Sequence, residues 1–85
     1  MKILEYVAAF YETREPARAE FNTIEQMLSL PWVAKHRISR GFVRFSIANG
    51  DTLVAELNGK PSLKVIGRIA DPDRKVLADL PEWHA

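Results

Sequence analysis

Two histidines, His36 and His84, stand 48 positions apart, and neither sits in a spacing that would hold a metal ion. Asp71 and Asp73 form the only close pair of aspartates. Pro72 lies between them and no further ligand run follows, so the pair reads as a capped turn rather than a calcium loop. The absence of cysteine excludes disulfides, thiolate zinc sites and thiol catalysis. Asn49-Gly50 and Asn58-Gly59 are spaced as hairpin turns, not as a phosphate-binding glycine loop. These residues point to no catalytic apparatus, metal or cofactor, and the expected class is a non-enzyme.

Charge is the remaining chemistry. The chain carries 12 basic and 11 acidic side chains, a formal net charge of +1. They are unevenly spread: Lys35, Arg37, Arg40 and Arg44 fall between positions 31 and 50, which hold no acid. Such a strip could meet phosphates, or it could complement helix carbonyls. Lys35-His36-Arg37 is expected just past the C-terminus of a helix that Pro31 ends, where cations are favoured.

The elements that would position these residues follow from periodicity. Ile3, Tyr6, Val7 and Phe10 fall at helical spacing, which predicts an N-terminal helix. The rival is a strand over residues 2–11, which would have to be buried on both faces. Asn22 or Thr23 is placed to cap a second helix, with Glu25 three residues after Asn22 and Gln26 three after Thr23, as a capping box requires. A start at Pro16 is the alternative, since Ala17, Phe21, Ile24 and Leu28 share one helical face. That helix buries Phe21, Ile24 and Leu28. From Gly41 to Ile69, alternating apolar residues and two Asn-Gly turns predict three antiparallel strands. A three-residue loop, Ala48-Asn49-Gly50, would pair Phe45 with Leu53 and gather Val43, Phe45, Ile47, Leu53, Ala55 and Leu57 on one face. Leu63, Val65, Gly67 and Ile69 extend that face. The other face would then carry Phe42, Arg44, Val54, Glu56, Lys64, Ile66 and Arg68, with Glu56 near Lys64. After Ile69, Asp71-Pro72 can cap a short helix. Trp32 and Trp83 are each large enough to close a core or to anchor a partner.

The expected fold is therefore α+β: one or two N-terminal helices on a three-stranded antiparallel β-meander. The alternative adds residues 2–11 as a strand, giving a four-stranded β-α-β-β-β sheet. At 85 residues a single small globular domain over 1–85 is expected. No signal-peptide or membrane-spanning run is present, which makes the cytoplasm the expected compartment. In the absence of chemistry, the expected function is protein–protein contact by an accessory, adaptor or inhibitor domain of a size that phages and mobile elements encode. The partner-binding residues would be Phe42, Arg44, Val54, Ile66 and Arg68 on the outer face, with Lys35 and Arg37 at its rim. A homodimer seam on the same face is a second use of it. The alternative function is nucleic-acid binding by the basic strip, against which stands a pI of about 8.1.

Overall fold

The computed structural model describes residues 3–11, 18–39, 43–49 and 51–84. Five strands, β1 (Tyr6–Phe10), β2 (Arg18–Phe21), β3 (Arg44–Ala48), β4 (Thr52–Leu57) and β5 (Lys60–Ile66), form one antiparallel sheet in the order β2-β1-β5-β4-β3. Three helices accompany it: α1 (Ile24–Leu28), α2 (Pro31–Ser39) and α3 (Asp71–Ala78). The architecture is α+β. Neither the three-stranded meander nor its four-stranded alternative describes it.

Both extra strands come from the N-terminal region. Residues 6–10 are a strand because β2 and β5 flank them on either side. Tyr6, Ala8 and Phe10 are buried on one face while Val7 and Ala9 stay half-buried on the other. An interior strand tolerates apolar residues on both faces, which is why its pattern imitates a helix. Residues 18–21, which a helix beginning at Pro16 would include, instead form strand β2, only four residues long with two of them charged. Its alternation is nonetheless strict, with Ala19 and Phe21 inward and Arg18 and Glu20 outward.

Parity along the β3-β4-β5 segment follows the expectation, but the register does not. Phe45 faces Ala55, and Ile47 faces Leu53. Ala48 pairs with Thr52, so each pairing shifts by two from the expected register and every side chain keeps its face. In the next turn Asn58 (φ 56°) and Gly59 (φ 78°) both lie in the left-handed region, the signature of a two-residue type I′ hairpin joining Leu57 to Lys60. A bulge between Ala55 and Glu56 then resets the ladder. Glu56 pairs with Pro61 and Lys64 with Val54, which removes the expected Glu56–Lys64 neighbourhood.

Thr23 caps α1, its Oγ1 accepting the Gln26 amide at 3.3 Å, and the Gln26 side chain returns to the Asn22 amide at 2.7 Å. Pro31 does more than end a helix. It opens α2, where its missing N–H costs nothing, so Lys35, His36 and Arg37 lie within that helix rather than beyond one. Ala70, not Asp71, is the cap position of α3.

All three helices pack on one side of the sheet, although Ile38 of α2 stays exposed. Ile24, Met27, Val33 and Leu77 join Tyr6, Phe45, Leu53, Leu63 and Val65 in a single core cluster, each almost wholly inaccessible. Trp32 and Trp83 are half-buried against it. Trp32 packs on Phe10 with ring centroids 5.2 Å apart and stacks on His36 at 4.3 Å. The chain after α3 runs back along β3. Phe45 donates its amide to the Glu82 carbonyl at 3.0 Å and accepts from the His84 amide at 2.8 Å, which covers that edge of the sheet at Phe45.

A buried polar knot links three elements. The Tyr6 hydroxyl donates to Asp73 Oδ2 at 2.5 Å and accepts from the Ala70 amide at 3.1 Å, while Asp73 Oδ1 accepts the Ile24 amide at 3.1 Å. Burial, and then the neighbouring Asp73 carboxylate, push the Tyr6 phenol above its ordinary value of 10.0, against the Ala70 amide. The folded chain therefore holds this proton more tightly than the unfolded chain does. The resulting stabilisation is complete below about pH 10 and is lost as pH rises through the folded value. Wild-type protein should thus lose urea resistance above about pH 10 more steeply than a Tyr6→Phe variant. Parallel pH curves for the two would exclude Tyr6 as the group responsible.

Candidate functional site

Among the described residues the helices all lie on one side, which leaves the other side of the sheet as the open surface. Antiparallel register aligns its side chains in rows across the strands. One row runs Arg18, Ala9, Lys64, Val54, Ser46 through all five strands. A second runs Glu20, Val7, Ile66, and a third Pro61, Glu56, Arg44. At the centre lie Val7, Ala9 and Val54, half-buried, with Ile66 50% exposed. None of the four packs against the core cluster. Lys64 stands among them, with Arg18 and Glu20 at one margin and Arg44 and Glu56 towards the other. Tyr11, which follows β1 and donates its amide to the Ser62 carbonyl at 3.0 Å, is also 50% exposed.

The structure brings together three of the expected partner-binding residues, Arg44, Val54 and Ile66, and places Glu56 and Lys64 on the same face. Phe42 lies outside the described residues. Arg68 is exposed but falls beyond β5, past Gly67. Lys35 and Arg37 do not rim the face, because α2 packs on the opposite side of the sheet. Arg37 is committed elsewhere: its Nε donates to Glu82 Oε1 at 2.5 Å. Burial opposes ionisation of Glu82, but this bond, a backbone amide and the Arg37 charge together hold the carboxyl below the usual range. The basic strip is therefore divided between two sides of the molecule. Val7, Ala9, Arg18 and Glu20 were missed as members of the face. Their signal was the period-two alternation of residues 6–10 and 18–21, masked in one case by apolar residues at every position and in the other by shortness.

Little else among the described residues offers chemistry. No group of three or more His, Asp or Glu side chains could hold a metal ion. An open groove of about 320 Å³ lies between α1, α2 and the C-terminal segment, lined by Leu28, Ala34, Arg37, Ile38 and Glu82. The Arg37–Glu82 pair closes its polar side. No helix among the described residues is long and apolar enough to cross a membrane.

Fold and site together define an α+β chain with a half-apolar, mixed-charge open sheet face. No family model, curated protein or solved structure matches it.

Proposed function

We propose that this chain is a non-catalytic binding protein that docks a protein partner on the open face of its sheet. The supporting observation is the uncovered cluster of Val7, Ala9, Val54 and half-exposed Ile66, with Lys64 among them and Arg18 and Arg44 at the margins. An apolar centre with a charged margin is the anatomy of a protein interface. The complementary partner presents apolar side chains ringed mainly by carboxylates. Accessory, adaptor or inhibitor roles all use such a surface. A cysteine-free, 85-residue single domain fits a cytoplasmic setting. Nucleic acid is the weaker occupant, because Glu20 and Glu56 share the face and Glu56 stands directly opposite Arg44.

Affinity capture from host extract, read by mass spectrometry, tests this reading with two variants. Ile66→Asp should keep the fold, at a cost of no more than about 1 kcal/mol, and lower partner recovery at least tenfold. Lys75→Glu, exposed on α3, should capture as the wild type does. Equal recovery by Ile66→Asp would remove the open face as the docking surface. Recovery of nucleic acid that fades between about 50 and 200 mM salt would move the assignment to the second occupant.

A further inference from the structure

The two edges of the sheet differ. On the β3 edge residues 82–84 bond to Phe45, whereas β2 ends the sheet on the other side, with no described strand beside it. The direction of its backbone groups can be worked out from two bonds. In antiparallel pairs, successive residues point their N–H and C=O alternately to one neighbour and to the other. The Tyr11 amide bonds to β5, so Tyr6, Ala8 and Phe10 turn their backbone groups towards β2. Following the same alternation through β5 and β4 sends Phe45 outward on the far edge, where its bonds to Glu82 and His84 are found. On β2 the phase turns Ala19 and Phe21 towards β1 and leaves Arg18 and Glu20 with amide and carbonyl directed off the edge. The next amide, Asn22, is taken up by the Gln26 side chain.

We infer that β2 pairs antiparallel with β2 of a second copy, about a two-fold axis through Ala19, to make a ten-stranded sheet. Charge selects this register. With Ala19 opposite Ala19 of the other copy, each Arg18 faces a Glu20, and the outward amides and carbonyls of both residues meet in the two hydrogen-bonded pairs. Shifting by two residues in one direction opposes two arginines, and in the other two glutamates, each unfavourable. Ala19 then occupies the non-hydrogen-bonded position, where the chains approach most closely and a small side chain fits. Edge strands usually resist pairing by carrying charge of one sign; this one carries one of each, two residues apart, and complements itself. Because the pairing is isologous and uses the β2 edge of both copies, assembly stops at two; at the opposite edge the chain's own C-terminal segment already takes up Phe45. The interface is narrow, so the dimer is weak and forms at high protein concentration.

Sedimentation equilibrium from about 20 µM to about 1 mM reads the association directly. Wild-type protein should dimerise within that range, more weakly as salt rises. Arg18→Glu opposes two pairs of like charges and should raise the dissociation constant roughly tenfold or more. The double swap Arg18→Glu/Glu20→Arg should restore it. Glu20→Pro, which deletes an outward amide without touching the bonds to β1, should leave a folded monomer. Ile66→Asp should dimerise normally, which separates this contact from docking on the open face. A wild type that stays monomeric at about 1 mM overturns the inference. So does a folded double swap that fails to recover association, or an Arg18→Glu protein that dimerises like the wild type.

Discussion

Asp73→Ala is expected to remove about 2–4 kcal/mol of stability, a large share of the roughly 4–13 kcal/mol that a chain of this length possesses. The side chain is only 8% exposed, yet it serves two elements that are distant in sequence. One oxygen receives the Tyr6 hydroxyl from β1, and the other receives the Ile24 amide at the first turn of α1. Truncation leaves both donors buried without an acceptor, and each such orphan costs about 1–3 kcal/mol. Asp73→Asn retains the shape and one acceptor, so its loss should be about half as large. A double-mutant cycle with Tyr6→Phe isolates the shared bond: the two losses should be less than additive by about 1 kcal/mol or more. Urea denaturation measures all of these, with a lower midpoint and an unchanged slope. An Asp73→Ala variant within about 0.5 kcal/mol of wild type would contradict the knot's structural role.

The second large effect is expected at Gly67, where β5 leaves the sheet. Its φ of +142° lies outside the range that side chains favour, and an added Cβ would fall 2.5 Å from the Glu5 carbonyl oxygen and 2.9 Å from Tyr6 Cδ1. Neither obstacle yields cheaply, since one is backbone and the other belongs to a residue pinned by Asp73 and Ala70. Gly67→Ala should therefore cost about 2–4 kcal/mol and weaken the Tyr6 knot with it. Gly59→Ala is the comparison. It also has positive φ, at +78°, but it faces open space, so only the backbone preference of about 1–2 kcal/mol is lost. Thermal unfolding of the two variants separates strain from contact. Equal losses would mean that the close approach to β1 contributes nothing.

These two sites also show where reading the chain stopped. Gly67 looked like a core-face position of a strand, because parity alone cannot reveal that another backbone passes within contact distance. Asp73 looked like part of a capped turn, and the motif is indeed local to α3. Its partners lie 67 and 49 residues away, on elements whose approach no local pattern encodes. Pro31 carried the opposite ambiguity. It is compatible with stopping one helix or starting another, and tertiary packing of Val33 and Trp32 selects the second.

From residue types and spacing alone came the α+β class, the absence of thiol chemistry, a cap at Asn22 or Thr23, the existence of both hairpins and the inward-outward parity of β3, β4 and β5. All depend on interactions between near neighbours or on the alternation intrinsic to a strand. Tertiary structure decided the rest: that residues 6–10 and 18–21 are strands, which face stays open, how the basic residues divide between its two sides, and which edge remains unpaired. Those outcomes turn on long-range pairing of β1 with β5, and an apolar segment becomes strand or helix according to the neighbours that bury it.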